Sequence, residues 1–301
     1  MAENKEVGTT GHQWDDEEGY PLKEFNNPLP RWWVNSFYAT IVFSVIYWIF
    51  YPAWPLANDF TRGLLGWSQH KQLAAELAAA KAAKKPFDDS LEKMTLAQIA
   101  ADPKLRVYAL AGGKSIFGDN CAPCHGSGGG GAKGFPALVD DDWLYGGSLE
   151  AIQTSIAQGR TAMMPPHLAP AGALTQPQVQ DLTEYVLSLS GKSTQADAIG
   201  RGNTLFHGEA GCNNCHGDLG KGSLLDKVGG QPLSPDIGAP NLTDNIWLYG
   251  GDKETVFASI AKGRSGQMPA WGKEAGTSGR HLDALAIKEV ALYVHNLGGG
   301  K

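Results

Sequence analysis

GDNCAPCHGSGGGGAKGFPAL, residues 118–138, contains the pattern that decides the fold, because two cysteines and a histidine fall within five residues. A second copy of the pattern, GCNNCHGDLGKG, occupies residues 211–222. The chain has 301 residues and four cysteines, and all four lie in these two C-x-x-C-H motifs. No cysteine is left for a disulfide. The motif residues are Cys121, Cys124, His125, Cys212, Cys215 and His216.

A C-x-x-C pair by itself is compatible with a redox dithiol or with half of a zinc site. The histidine that follows each second cysteine favours a different chemistry. In C-x-x-C-H, the two cysteines form thioethers with the haem vinyl groups and the histidine becomes the proximal iron ligand. Because two such motifs use every cysteine, the sequence predicts two covalently bound haem c groups.

Residues 32–54, WWVNSFYATIVFSVIYWIFYPAW, contain no charged side chain. A helix of this length reaches about 34 Å, enough to cross a hydrocarbon core of about 30 Å. The preceding residues are acidic, unlike the basic start of a cleaved signal peptide. We therefore expect one uncleaved transmembrane helix over residues 32–55. Lysine and arginine flank it equally and do not set its orientation. Covalent haem attachment takes place outside the bacterial cytoplasmic membrane, which predicts a cytoplasmic segment 1–31 and periplasmic haem domains at the inner membrane.

Residues 56–103 are rich in alanine and other helix formers, and we interpret them as a periplasmic helical linker with His70 on a solvated face. Pro86 is expected to stop the first helix of this linker. Thr95 and Gln98 have the spacing of a capping box and predict a short helix that ends near Asp102.

The rest of the chain is an internal repeat. DDWLYGG at 141–147 matches NIWLYGG at 245–251, and GRTAMMP at 159–165 matches GRSGQMP at 263–269, both with an offset of 104. The haem motifs are offset by 91, so the second copy has 13 extra residues just after its motif. We expect a mainly α fold with two consecutive haem domains, residues 104–191 and 192–301.

The repeat selects Met164 and Met268 as sixth iron ligands, because they are in register and each precedes a proline. A histidine and a methionine are a common ligand pair for electron-transfer haems. Met163 is out of register and is expected to pack in the core or at a haem edge. His167 is a competing ligand with no counterpart in the second copy. The sequence leaves open whether each methionine binds the haem of its own copy or of the other.

Other repeated residues are candidates for supporting roles. The carbonyl of Pro136 or Pro240 is expected to accept a hydrogen bond from the proximal histidine of its copy. Arg160 and Arg264 are candidates for pairing with haem propionates, with simple surface exposure as the alternative. Aromatic residues of the WLYGG segments are expected to pack on the haems or the cores: Trp143, Tyr145, Trp247 and Tyr249.

The two haem domains resemble class I cytochrome c domains in tandem. Together with GHQWDDEEGYPLKEFNNPLPRWW before the apolar span, and with CAPCHG, WLYGG, MMPPH, CNNCHG and MPAW, the whole chain resembles the CcoP/FixP family. These proteins are the dihaem subunits of cbb3-type cytochrome c oxidases. The resemblance implies an electron-transfer subunit, with a donor cytochrome c or bc1 complex on one side and the monohaem and oxygen-reducing catalytic subunits on the other.

Other functions are less consistent with the sequence. A dihaem cytochrome subunit of a periplasmic dehydrogenase is the main alternative, although such subunits usually have three haem motifs. A peroxidase needs an open iron position, and a gas sensor needs a signalling domain. No catalytic residue of its own is indicated. The net charge of −6 gives no basic face for nucleic acid.

Overall fold

The computed structural model describes residues 8–13, 23–272 and 281–299. It divides the chain into two units, residues 1–83 and 84–301, which we describe separately. Of the predicted N-terminal segment 1–31, the structure describes residues 8–13 and 23–31.

The first unit contains a small hairpin and one long apolar helix. Strand β1 (Thr9–Gln13) pairs antiparallel with β2 (Lys23–Phe25). Helix α1 (Arg31–Phe50) is the one helix in the described ranges that is long and apolar enough to cross a membrane, and none of its residues is buried. It ends five residues before the predicted boundary at 55, because Pro52 favours an extended conformation at Tyr51.

The linker is helical, but Pro86 does not stop its first helix as the sequence predicted. Helix α2 (Gln69–Lys93) continues through the proline. Packing after the proline explains the continuation: Phe87 stacks on Tyr108 with ring centroids 4.9 Å apart, and Leu91 is fully buried. The capping box of Thr95 and Gln98 is confirmed and opens α3 (Leu96–Ala101).

The first core of the second unit combines three helices from distant parts of the chain. They are α4 (Pro103–Asn120), α6 (Leu149–Gln158) and α11 (Ala284–His295). Their buried residues form one cluster, which we call the first core: Phe117, Ile152, Ile156, Ile287, Val290, Ala291 and Val294. The one-turn helix α5 (Ala122–His125) follows α4 directly.

The second core lies between α7 (Gln176–Leu189), α8 (Ala196–His207) and α10 (Lys253–Lys262). Its members include Val179, Leu182, Tyr185, Phe206, Val256 and Ile260. The one-turn helix α9 (Asn213–His216) follows α8. The segment after the second haem motif contains the short hairpin of β4 (Lys227–Val228) and β5 (Gln231–Pro232), followed by a 3-10 helix at Pro235–Ile237.

The last helices of the two repeats are exchanged. Helix α7 belongs to the first repeat but packs on α8 and α10, whereas α11 packs on α4 and α6. The chain crosses between the cores through β3 (Arg160–Met164) and β6 (Arg264–Met268), which pair antiparallel. The packing therefore differs from the consecutive domains 104–191 and 192–301. LTEYVLSL and VALYVHNL share the Tyr-Val pair and the final leucine, and the repeat pattern is the same in both arrangements.

Candidate haem sites

The two C-x-x-C-H motifs fold into the same turn. The amide of His125 donates to the carbonyl of Cys121 at 3.0 Å, and the amide of His216 donates to that of Cys212 at 3.0 Å. The glycine after each histidine, Gly126 or Gly217, has a φ of 79° or 84° and ends the turn. Each turn is held against a different core, with Cys121 packed on the first and Cys212 on the second.

Both proximal histidines are oriented as the sequence predicted. Nδ1 of His125 lies 2.9 Å from the carbonyl oxygen of Pro136, and Nδ1 of His216 lies 3.0 Å from that of Pro240. A carbonyl only accepts, so Nδ1 carries the proton and Nε2 keeps a lone pair for a metal. Burial lowers the pKa of His216, an effect that the Pro240 carbonyl opposes in part. The ring is therefore neutral, as a ligand must be.

The two cysteine pairs lie in separate places, with Cys121 on the first core and Cys212 on the second, and no disulfide joins them. Burial raises the pKa of Cys121 and of Cys212 to about 11, which disfavours, at these two residues, the thiolate that binds zinc. The described ranges 8–13, 23–272 and 281–299 contain no group of three or more His, Cys, Asp or Glu residues that could hold a metal ion. The geometry does not assemble the paired C-x-x-C zinc site that the cysteine count alone allows.

Each predicted methionine ligand packs on the core of the opposite repeat. Met268 contacts the first core, on which Cys121 also packs, and Met164 contacts the second core with Cys212. Met163 is 79% exposed, so the expectation that it packs in the protein core was wrong. It alternates with Met164 along β3 and therefore points to the opposite face.

The repeated arginines are not simply exposed. Arg160 Nε donates to Ser155 Oγ at 2.9 Å, its guanidinium lies 4.5 Å from the centre of the Tyr145 ring, and only 16% of its side chain is exposed. The second repeat has the same contacts 104 positions later. Arg264 Nε donates to Ser259 Oγ at 2.9 Å, and its guanidinium lies 4.2 Å from the centre of the Tyr249 ring. The sequence analysis did not identify Ser155 and Ser259, although they share the offset of 104 with the other repeated residues.

Three buried polar atoms have no hydrogen-bond partner among the described residues: Tyr145 Oη, Trp247 Nε1 and His167 Nδ1. Buried polar groups of proteins normally have partners, so each of these atoms is able to bond to a water or to a ligand group. Trp143, the counterpart of Trp247, donates its Nε1–H to the carbonyl of Gly299. The backbone amide of His167 donates to the carbonyl of Ile260, a residue of the second core.

Comparison with known proteins agrees with this geometry. Residues 6–58 match the family model of the N-terminal domain of cytochrome oxidase-cbb3, FixP. Residues 109–186 and 197–287 match the model of cytochrome c oxidase, cbb3-type, subunit III, which implies covalent haem c.

Relatives match over nearly the whole chain. The cbb3-type cytochrome c oxidase subunit CcoP of Azospirillum sp. is 44% identical over 307 residues, 98% of this chain and 96% of the relative. The subunit FixP of Bradyrhizobium diazoefficiens is 46% identical over 302 residues, 97% of this chain and 95% of the relative. The chain therefore belongs to the CcoP/FixP family of cbb3-type cytochrome c oxidase subunits.

Proposed function

We propose that this chain is the electron-transfer subunit of a cbb3-type terminal oxidase, with two covalent haem c groups. One observation carries the proposal: two C-x-x-C-H turns each present a histidine whose Nδ1 is hydrogen-bonded to a proline carbonyl, at His125 and His216. The carbonyl fixes the tautomer and leaves Nε2 for iron. The whole-chain relationship to oxidase subunits supports the assignment of the complex.

The residues around each motif fit a haem. Cys121 and Cys124 supply two sulfur atoms at the first site, and Cys212 and Cys215 supply two at the second. The unpartnered Oη of Tyr145 and Nε1 of Trp247 are suitable donors for propionate oxygens. The guanidinium groups of the two repeated arginines supply positive charge for the same carboxylates.

We propose further that the methionine ligands are exchanged between the repeats. In this assignment Met268 completes the site of His125, and Met164 completes that of His216. The support is that each methionine packs on the same core as the opposite haem motif. The pairing of β3 with β6 carries each methionine across to that core. This arrangement is the alternative that the repeat register leaves open.

Haem c supplies a one-electron carrier that alternates between Fe(III) and Fe(II). One histidine and one methionine would hold each iron, and a thioether would favour Fe(II) and raise the potential. With both ligands in place, oxygen or peroxide would find no free position on the iron. The proposed ligands His125, Met164, His216 and Met268 are partly buried. This chain therefore carries electrons, and oxygen reduction belongs to the catalytic subunit.

The proposed partners follow from the same assignment. Electrons come from a donor cytochrome c or a bc1 complex and leave toward the monohaem and catalytic subunits. Helix α1 is the proposed single membrane anchor, with residues 1–31 in the cytoplasm and 56–301 in the periplasm. Protease added to intact spheroplasts is expected to digest the haem domains and to spare the N-terminal segment. The reverse pattern contradicts this topology.

Purification of the complex from membranes tests the function. We expect the chain to co-purify with an oxygen-reducing catalytic subunit, and pyridine haemochrome analysis to give two haem c groups per chain. Paired Cys121→Ala/Cys124→Ala and Cys212→Ala/Cys215→Ala variants should each retain one. A His70→Ala control in the linker should retain two. Fewer than two covalent haems in the unchanged chain, or co-purification with a dehydrogenase, overturns the proposal.

A further inference from the structure

The two repeats hold their arginines alike, but the charges around them differ. Nη1 of Arg160 lies 3.0 Å from Oδ1 of Asp236. Asp236 is in the 3-10 helix that follows β5, where its amide donates to Ser234 Oγ at 3.3 Å. The equivalent position of the first repeat, 104 residues earlier, is Ala132. The first repeat therefore has alanine where the second repeat has the carboxylate that pairs with Arg160.

The loops that contain these two positions are placed alike. Lys133, next to Ala132, lies in the loop of the first repeat that faces Tyr249, and both residues line a cavity together with Asp140 and Asp142. Gly134 in this loop approaches Tyr249 so closely that an added Cβ would lie 3.3 Å from the ring. In the second repeat, Gly238 approaches Tyr145 of the first repeat in the same way, since an added Cβ would lie 2.3 Å from Tyr145. The loop with Asp236 therefore covers Tyr145, and the loop with Lys133 covers Tyr249.

Strand pairing assigns each arginine to one site. Arg160 lies opposite Met268, which packs on the first core beside the first haem motif. Arg264 lies opposite Met164, which packs on the second core. The negative charge of Asp236 therefore acts at the first site.

We propose that Asp236 lowers the reduction potential of the haem attached at Cys121 and Cys124. A negative charge stabilises Fe(III), which carries one more positive charge than Fe(II), and so lowers the reduction potential. The carboxylate therefore shifts a single electron toward the haem of Cys212 and Cys215. The inference rests on the proposed function, because it needs two haems.

The exposure of the Asp236 side chain limits its effect on the reduction potential. Asp236 is 80% exposed, so water and salt screen its charge and its influence is modest. We expect Asp236→Asn to change the reduction equilibrium of the first haem about threefold in favour of Fe(II), which is about 28 mV for one electron. The shift should shrink at high salt. A merely structural role predicts no such salt dependence.

Redox titration of the intact chain, with optical and magnetic spectra to separate the haems, tests the inference. Asp236→Asn should raise one potential and leave the other unchanged. The control Asp197→Asn removes an exposed charge from α8 and should move neither potential. Ala132→Asp, which adds the missing carboxylate, should lower the potential of the other haem. Single-haem chains with the paired cysteine substitutions assign each shift to its site.

Three results overturn the inference: no change with Asp236→Asn, a shift at the haem of Cys212 and Cys215, or a shift of equal size in low and high salt. The haem count and the methionine–iron signal of the same samples separate this failure from failure of the proposed function. Chains with two normally ligated haems and an unmoved potential reject only the role of Asp236.

Discussion

Met268 lies directly opposite Arg160 in the antiparallel pairing of β3 with β6. Met164 lies opposite Arg264 at the other end of the same five-residue pairing. Each methionine is thus next to the arginine of the other repeat, and each packs on the core of the other repeat. One small sheet therefore links the ligands of both proposed haem sites. A substitution in the strand of one repeat is expected to alter the potential of the haem that is attached to the other repeat.

The exchange of ligands predicts which haem responds to Met268→His. In a chain with Cys212→Ala and Cys215→Ala, only the haem beside His125 remains. Met268→His should keep its iron low-spin and lower its potential by roughly 100–300 mV, because imidazole stabilises Fe(III) relative to a thioether. Redox titration and optical spectra measure both effects. Met164→His should leave this haem unchanged.

The reciprocal experiment distinguishes an exchanged ligand from a variant that folds poorly, because each methionine variant is then tested at both haems. With Cys121→Ala and Cys124→Ala, the remaining haem should respond to Met164→His and not to Met268→His. Met163→Leu is the matched control and should change neither potential, because Met163 is exposed. If each haem responds to the methionine of its own repeat, the exchange is wrong although the ligand identities stand.

Two glycines allow the strands to cross, and their substitution should disturb the ligands. An added Cβ on Gly263 would lie 2.3 Å from the carbonyl oxygen of Met164, and φ there is +71°. Gly191 has a φ of +73° with no atom within 4 Å of its added Cβ, so it isolates the effect of backbone conformation. Gly263→Ala should therefore destabilise the chain by about 1–3 kcal/mol more than Gly191→Ala.

The measurement is urea unfolding, followed together with the methionine–iron signal. Gly159→Ala should act similarly, since an added Cβ there would lie 2.6 Å from the carbonyl oxygen of Met268. Equal effects of Gly263→Ala and Gly191→Ala would show that the close strand crossing is unimportant for ligand position.

The sequence predicted the parts of the site that depend on short spacing. The orientation of His125 and His216 by proline carbonyls follows from the repeat, and so do the mainly α fold and the capping box at Thr95. These features depend on local geometry that few residues determine.

The exchange of α7 and α11 could not be predicted from short sequence spacings. Both helices present the same apolar pattern, and only long-range packing decides which core each one completes. Pro86 shows the same limit, because the tertiary packing of Phe87 outweighs a local helix-breaking preference. The pairing of Arg160 with Asp236 joins residues 76 positions apart and depends on how the loop that contains Asp236 folds.

Lys288 fixes the end of the linker helix to α11. Its Nζ donates to the carbonyls of Leu91, Glu92 and Met94 at 3.0, 3.0 and 2.9 Å. Lys288→Met removes all three bonds and should cost about 1–3 kcal/mol.

Limited proteolysis should then cleave between residues 84 and 95 faster than in the unchanged chain, while both haem spectra stay the same. Lys114→Met, at an exposed position on α4, is the control and should not alter the cleavage rate. Unchanged cleavage in Lys288→Met would mean that the apolar contacts of Leu91 alone hold this segment.

Glu289 predicts a pH dependence of stability. Its carboxyl lies against Gly112, where an added Cβ would be 2.5 Å from Oε2. Burial raises its pKa from 4.5 to about 7, with a smaller contribution from the charge of Asp88 and partial opposition from Lys84. The folded state therefore binds the proton more tightly than the unfolded state. The stability that this proton gives is complete below pH 4.5 and is lost as the pH rises to about 7.

Glu289→Gln replaces the carboxyl with a neutral group of the same shape and should remove this dependence. The stability difference between variant and unchanged chain should grow by up to about 3 kcal/mol in favour of the variant between pH 4.5 and 8. Urea unfolding of the full chain in detergent at several pH values measures it. Glu150→Gln, at an exposed helix position, controls for other titrating groups. A constant difference across this range would mean that the pKa of Glu289 is the same in the folded and the unfolded chain.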